Sequence, residues 1–236
     1  MKKTKLLWVF FALIVFLSLT ACSALPGGDK TVRQITASGQ GKVYLTPDVA
    51  FVQIGVESRS DQVANALSEN NAQTESVSST LQELGVEAKD IQTSAFNIFP
   101  QQEYNQLGEM TGTVYVVNNT VYVTVRDLQS LGKLLDAVVR SGANNIYGIQ
   151  FDVQDKAKAI SEARKLAIND AKANAQEIAA AADIELGDLI TLNVYNMGGP
   201  VPMFDGKGGA GFDASVPVSA GQLTMTMNAD LTYEIK

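Results

Sequence analysis

The chain has 236 residues, of which 18 are Lys or Arg and 25 are Asp or Glu, giving a formal net charge of −7. It contains no histidine, which excludes Ser-His and Cys-His catalysis and removes the commonest metal ligand. An acidic chain does not attract nucleic acid, and its length suffices for one domain with a sizeable core.

The first 19 residues have the pattern of an export signal. Lysines stand at Lys2, Lys3 and Lys5, and residues 6–19 then run without a charge. A basic start followed by a short apolar stretch is typical of a secretory signal peptide. In a helix, this stretch reaches about 21 Å, short of a hydrocarbon core of about 30 Å. A permanent membrane span is therefore the less favoured interpretation.

The apolar stretch ends in Leu19-Thr20-Ala21-Cys22, which resembles the lipobox of bacterial lipoproteins. In that motif the cysteine thiol receives a diacylglyceryl group, and the peptide bond before it is then cut. The sequence therefore predicts a signal peptide over residues 1–21 and a lipid anchor at Cys22. The alternative is an ordinary signal peptide with a coincidental cysteine. Cys22 is the sole cysteine, so no disulfide forms within one chain.

Removal of residues 1–21 takes three lysines and leaves 15 basic against 25 acidic residues, a net charge of −10. Contact with a membrane is therefore expected to come from the lipid on Cys22 rather than from a basic patch. Ser23 is not acidic, unlike the residue that often marks inner-membrane retention. This favours the periplasmic face of the outer membrane in a cell with two membranes, and otherwise the outer face of the cell membrane. The Pro and Gly content of residues 22–33 predicts a flexible tether.

Beyond the tether, hydrophobic periodicity and turn residues predict alternating strands and helices. Strands are predicted at residues 34–45, 48–58, 91–104, 113–126, 145–153, 188–196 and 223–235, and helices at 60–85, 127–142 and 155–182. The last strand alternates apolar and polar residues, which indicates one buried face in an antiparallel sheet. The last helix is rich in alanine, and small side chains let a helix lie close against a sheet. The pattern predicts one α+β domain over residues 34–236, in the order ββαββαβαββ, with an antiparallel or mixed sheet and helices on one face.

Several polar motifs are expected to be structural. Asp48, Asp90 and Asp127 stand at turns or helix starts, where carboxylates cap free N–H groups. Gly39-Gln40-Gly41 lacks the third glycine, the following helix and the lysine of a phosphate-binding loop, so a bend at a strand end is expected instead. Asn70 weakens the middle of the apolar stripe of the first helix. We predict no catalytic residue, metal site or cofactor.

Residues 198–217 break the pattern, with nine Gly or Pro among 20 residues. Ordering them would cost about 1–2 kcal/mol of backbone entropy per residue, whereas burying one apolar side chain returns about 1.5–3 kcal/mol. The segment is therefore expected to be mobile in the isolated monomer. Met203, Phe204 and Phe212 would then be exposed and available to a partner.

Four stretches carry a likeness to a known family. They are Ala37-Ser38-Gly39-Gln40-Gly41 with Pro47-Asp48, Asp90-Ile91-Gln92-Thr93-Ser94 with Pro100-Gln101, the alanine-rich helix over 163–182 with Leu186-Gly187, and Pro217-Val218 with Gly221-Gln222-Leu223 before the final strand. In this order they resemble the SIMPL domain of bacterial periplasmic and outer-membrane proteins often called YggE-like. The 198–217 segment is where the chain departs from that pattern. The resemblance implies an envelope location, an α+β fold, self-association in some members and links to stress tolerance. The family has no established activity, so no catalytic residue is carried over.

The favoured hypothesis is a non-catalytic envelope lipoprotein whose domain forms a homo-oligomer or binds an envelope protein, without nucleic acid or a cofactor. Its interaction surface is predicted to include Met203, Phe204 and Phe212, with Tyr104 and Tyr115 on the long hairpin. Burial within the strands explains the two tyrosines about equally well.

The alternative hypothesis is a hydrolase or small-ligand-binding protein with a site under the 198–217 segment. Asp205, Lys207 and Asp213 are its candidate residues. An ordered segment over a pocket with convergent polar groups would favour this alternative.

Overall fold

The computed structural model describes residues 33–203 and 218–236. They form β1 (Gln34–Leu45), β2 (Val49–Ser60), α1 (Val63–Glu83), β3 (Ile91–Tyr104), β4 (Met110–Val125), α2 (Leu131–Arg140), β5 (Asn145–Asp152), α3 (Ala157–Ala181), β6 (Leu186–Asn196), β7 (Val201–Met203) and β8 (Gln222–Ile235). All the strand pairs are antiparallel, which confirms the predicted α+β class. The order is the predicted one with β7 added, so residues 201–203 form a strand where a loop was expected.

Several predictions fall on residues outside these ranges. They concern the signal peptide over 1–21, the anchor at Cys22 with its tether, the aromatic residues Phe204 and Phe212, and the candidate site residues Asp205, Lys207 and Asp213. Among the residues that the structure describes, no helix combines the length and the apolar character needed to cross a membrane.

The strands divide between two four-stranded sheets, where the sequence suggested one. The first sheet has the order β1–β8–β6 with β7 beside β8, and the second has the order β3–β4–β2–β5. Residues 46–48 carry the chain from one sheet to the other. Asp48 fixes the start of β2: its N–H donates to the carbonyl oxygen of Asp152 over 3.1 Å, and its carboxylate accepts the N–H of Gln154 over 2.8 Å. The carboxylate therefore caps a free N–H group, as predicted, but this group belongs to the segment after β5 and not to the turn at Asp48.

A layer of small side chains joins α3 to the first sheet. The alternation predicted for β8 is confirmed, and its helix-facing residues Leu223, Met225, Met227, Ala229 and Leu231 are buried. One face of α3 packs against β1 and β8 and carries a stripe of buried alanines. These are Ala159, Ala163, Ala167, Ala171, Ala175 and Ala179. The four-residue spacing puts them on one helical face, so the backbone of α3 lies close to the sheet.

Gly39 and Gly41 lie in the middle of β1, so the predicted bend at a strand end is wrong. A Cβ on Gly39 would sit 2.1 Å from the amide nitrogen of Ala171. A Cβ on Gly41 would sit 2.0 Å from the carbonyl oxygen of Ala163. Both positions require glycine because the helix backbone occupies the space of a side chain.

Branched aliphatic side chains fill the core of the second sheet. α1 lies over β2 and β4, and α2 packs beside α1; the buried residues include Val52, Ile54, Val77, Leu81, Val123, Leu131, Leu134 and Val138. Asn70 of α1 is also fully buried. Its amide donates to the carbonyl oxygens of Val56 (2.9 Å) and Val117 (3.0 Å). The residue that interrupts the apolar stripe therefore ties α1 to two neighbouring strands.

The ends of the helices follow the sequence in part. Gly85 and Gly142 adopt positive φ angles of 88° and 120° just after α1 and α2, where the sequence placed the ends of these helices. α1 begins after Gln62, whose side chain forms no capping hydrogen bond, so the helix starts slightly later than the predicted residue 60.

The two other acidic residues predicted as caps have different roles. Asp127 accepts the N–H of Gln129 over 3.1 Å in the turn before α2. Asp90 caps no helix, because both of its oxygens accept hydrogen bonds from Arg126, at 2.8 and 3.0 Å. In this ion pair the Asp90 side chain is nearly buried, whereas the Arg126 side chain is 40% exposed. These hydrogen bonds raise the pKa of the Arg126 guanidinium above its ordinary value. The pair joins the start of β3 to the end of β4.

Candidate interaction surface

β3 is an edge strand of the second sheet, and both of its faces are open. It pairs with β4 alone, while α1 lies over β2 and β4. Ile91 is half-buried, and every later residue of the strand is exposed. The ladder with β4 is interrupted twice, by a bulge at Ser94 and by a register shift between Glu103 and Tyr104. An edge of this kind presents unpaired N–H and C=O groups along its outer side.

The side chains of this edge are apolar or neutral. Residues 91–99 contain no charged residue and no proline, which are two of the usual means of protecting an edge strand, and the bulge at Ser94 is the protective feature that this stretch does have. Phe96, Ile98 and Phe99 are exposed by 48%, 40% and 41%. Phe96 and Ile98 lie on the helix side of the sheet, and Phe99 lies on the other side, opposite Val116. The strand therefore offers apolar surface on both faces.

The hairpin of β3 and β4 extends beyond the rest of the sheet. β2 pairs with β4 only from Tyr115 to Val125, so residues 110–114 pair with β3 alone. Five residues of strand reach about 17 Å. A two-stranded ribbon is marginally stable by itself in water, so contact with another surface would stabilise it.

Asn105 organises the tip of this ribbon. Its Oδ1 accepts the N–H groups of Leu107 (2.9 Å) and Glu109 (3.0 Å), and its Nδ2 donates to the carboxylate of Glu109 over 2.9 Å. Gly108 supplies the positive φ of 80° that the turn needs. The turn holds Leu107 outward with 84% of the residue exposed. A preformed tip lowers the entropy lost when it docks.

Comparison with known proteins identifies this architecture. Residues 35–233 match the SIMPL family, described as "Protein of unknown function (DUF541)". The chain belongs to the SIMPL family. This confirms the family predicted from the sequence motifs.

Relatives of this SIMPL protein share most of its length. The 26 kDa periplasmic immunogenic protein of Brucella melitensis is 31% identical over 213 residues, which are 86% of this chain and 85% of the relative. The uncharacterized protein YggE of Escherichia coli (strain K12) is 29% identical over 171 residues, 72% of this chain and 68% of the relative. YggE of Edwardsiella ictaluri is 26% identical over 161 residues, 68% and 67% of the two chains.

The SIMPL domain places two of the predicted interaction residues on the hairpin. Tyr104 is 59% exposed and pairs with Met110 near the tip. Tyr115 is half-buried opposite Pro100, where the ribbon meets the rest of the sheet. Met203, which is 36% exposed, ends β7 and belongs to the first sheet. Met203 is therefore not part of the hairpin surface.

Sequence reasoning missed five exposed apolar residues of this surface, which are Phe96, Ile98, Phe99, Leu107 and Met110. One signal was available. Ile98 and Phe99 are adjacent, so apolar side chains point to both faces of β3, whereas a half-buried strand keeps one face polar.

The alternative site under residues 198–217 can be examined in part. The described lining of a groove beside residues 197–201 includes Gln40, Lys42, Thr224 and Thr226. Among those described lining residues, Lys42 is the one charged side chain. Within 33–203 and 218–236, no three Asp, Glu or Cys side chains lie close enough to hold a metal ion.

Proposed function

We propose that the chain is a non-catalytic lipoprotein of the cell envelope whose SIMPL domain associates with further copies of itself through β3. The observation that carries this proposal is the exposed and uncharged edge over residues 91–99. The family resemblance further favours a part in maintaining the envelope under stress.

The mode of association follows from the strand. Two copies of β3 running antiparallel would continue the second sheet from one domain into the other and pair the free backbone groups of both edges. Phe96, Ile98 and Phe99 of each copy would lose contact with water, and burying a whole side chain of this size contributes about 1.5–3 kcal/mol. A contact between identical surfaces closes on itself as a dimer. The projecting ribbon would then be free to reach a neighbouring dimer or an envelope protein.

The anchor is the second part of the proposal. Lipid on Cys22 would hold the domain at a membrane, and the tether would let it meet other copies there. The location is the periplasmic face of the outer membrane in a cell with two membranes, or the outer face of a single cell membrane. The lipobox resemblance supports this location. The periplasmic name of the Brucella relative supports export of the domain.

The association test changes one side chain at the edge. Ile98→Lys places a charge on β3 and should shift the full chain toward monomer, because burying an unpaired ammonium in the contact is unfavourable. Ile178→Lys on α3 is the matched control, since Ile178 is 43% exposed and Ile98 is 40% exposed. Light scattering of the detergent-solubilised protein gives the mass, and thermal unfolding checks that both variants fold.

Three results would count against this contact. Wild type could be monomeric at micromolar concentration, Ile98→Lys could keep the wild-type mass, or Ile178→Lys could lose it equally. If wild type is monomeric but captures an envelope protein that Ile98→Lys does not capture, the edge binds another protein and self-association is wrong.

The anchor test uses Cys22→Ala. The variant should incorporate no labelled fatty acid and should be released from membranes or keep its signal peptide, because no thiol is left to acylate. Ser23→Ala is the control and should be labelled like wild type. Continued labelling of Cys22→Ala would contradict the lipobox interpretation.

A further inference from the structure

The open side of the second sheet, opposite its helices, carries aromatic rings and side-chain amides. We name this the amide–aromatic face; its residues are Phe51, Gln53, Gln92, Tyr122, Tyr147 and Gln150. One row crosses all four strands, from Gln92 through Tyr122 and Gln53 to Tyr147. Phe51 and Gln150 form the adjacent row on β2 and β5.

The geometry of this face is that of a shallow platform. Phe51 and Tyr122 stack with ring centroids 5.5 Å apart and planes at 18°. A depression of about 220 Å³ adjoins them and is also lined by Tyr147, which is 54% exposed.

A β-bulge in β5 shapes the platform. The ladder with β2 shifts at Gly148, whose φ is 57°, and this places Tyr147 and Gln150 on one side although they are three residues apart. A Cβ on Gly148 would meet no atom within 4 Å, so glycine is favoured here by the positive φ angle and not by close packing. Bulges that re-aim side chains are over-represented beside functional sites.

The depression on this face is uncharged, although the chain as a whole is acidic, and the nearby Asp152 is paired with Lys156. The described lining of the depression contains no Asp, Glu, Lys or Arg. Further along the same face, Glu57 and Arg59 pair with each other at 2.7 Å. Partial burial, and then the charge of Asp152, raise the pKa of Tyr122, so its hydroxyl remains a neutral donor. Phosphates and acidic peptides find no cation in this depression, and an apolar partner would leave the glutamine amides unbonded.

We propose that the amide–aromatic face binds a neutral saccharide chain. A sugar ring has an apolar C–H side that lies flat on an aromatic ring, and hydroxyl groups at its rim that both donate and accept hydrogen bonds. Glutamine matches such a rim because one side chain carries two N–H donors and a carbonyl acceptor. The depression is smaller than the roughly 300–1,000 Å³ of pockets that enclose drug-sized ligands. It therefore covers one ring and leaves the rest of the chain along the sheet.

The depression on this face lies away from the contact proposed for β3, and Gln92 is the one residue that the face shares with that edge. Tyr147 lies on β5, at the opposite edge of the same sheet. Saccharide binding and self-association are therefore expected to respond to different substitutions.

The test titrates the full chain, in a zwitterionic detergent without sugar head groups, with chitotetraose and with cellotetraose by calorimetry. At least one of the two should bind with a millimolar or lower dissociation constant. Tyr147→Ala should weaken binding about tenfold because a ring stacked on the sugar is lost, while Tyr147→Phe should stay within about twofold of wild type. Raising NaCl from about 0.05 to about 0.5 M should change the affinity less than about twofold, because no ion pair forms.

Tyr44→Ala is the matched control, since Tyr44 is 56% exposed on the first sheet. Tyr44→Ala, and also Ile98→Lys at the β3 edge, should bind the oligosaccharide like wild type. The proposal is overturned if neither oligosaccharide binds at about 10 mM. It is also overturned if Tyr147→Ala binds like wild type, or if Tyr44→Ala weakens binding as much as Tyr147→Ala does.

Discussion

In the first sheet, α3 lies against β1 with only the hydrogen atoms of Gly39 and Gly41 between the two backbones. In the second sheet, α1 and α2 are separated from β2 and β4 by valine, leucine and isoleucine side chains. The two layers thus reach close packing by different routes. One brings backbones together, and the other fills the space between them with branched side chains.

This difference determines what each layer tolerates. Where two backbones touch, an added atom has no room, and the layer fails by overpacking. Where side chains fill the space, the layer can include a polar group such as Asn70, provided that every hydrogen bond of its amide is made. Substitutions in each layer, each with a control variant, test this difference in tolerance.

The largest effect is expected on β8, whose two faces differ most. Met227 is 4% exposed beneath α3, and Met227→Asp would bury an unpaired carboxylate, lowering the free energy of unfolding by roughly 4 kcal/mol or more. Thr226→Asp should cost little, because Thr226 lies on the open face opposite Lys42. Urea unfolding of both variants measures the difference. Equal losses would show that the register of β8 is wrong.

A smaller but still large effect is expected at the glycines. Gly41→Ala should lower the free energy of unfolding by about 3 kcal/mol, because its Cβ would meet the backbone of α3, which cannot move without leaving the sheet. Gly112→Ala on β4 is the control, since a Cβ there meets nothing within 4 Å and the change should stay within about 0.5 kcal/mol. If Gly41→Ala unfolds like wild type, the first layer is not held at backbone contact.

Sequence reasoning predicted the parts of this fold that depend on the local periodicity of apolar and small residues. β8 repeats every two residues and α3 every four, so the buried faces of both could be read from a short window. The end of α1 near Gly85 was likewise predictable, because glycine readily adopts the positive φ angle that follows a helix. Each of these signals depends on neighbours in the chain.

The parts that were missed depend on which strands become neighbours in space. The sequence of residues 46–48 does not indicate that β1 and β2 belong to different sheets. The sequence of β3 likewise does not indicate that this strand lies at the edge of its sheet. Gly39 and Gly41 were interpreted as a bend, because their need for glycine comes from α3, more than 120 residues later in the chain. For the same reason Asp90 was taken for a cap, since its partner Arg126 lies across the hairpin.

Asn70 gives the smallest of the expected effects and tests the second layer. Asn70→Ala removes the two hydrogen bonds to the carbonyl oxygens of Val56 and Val117, and both oxygens then lose a donor inside the core. The free energy of unfolding should therefore fall by about 2 kcal/mol. The neighbouring Asn71→Ala is the control: Asn71 is exposed on the same helix, and alanine should stabilise it slightly, by less than about 0.7 kcal/mol. Hydrogen exchange sharpens the test, because the loss of Asn70 should speed exchange in α1 while α3 keeps its protection. Uniform faster exchange in both helices would mean that the two layers unfold as one unit, and an unchanged stability of Asn70→Ala would mean that apolar packing alone holds α1 to its sheet.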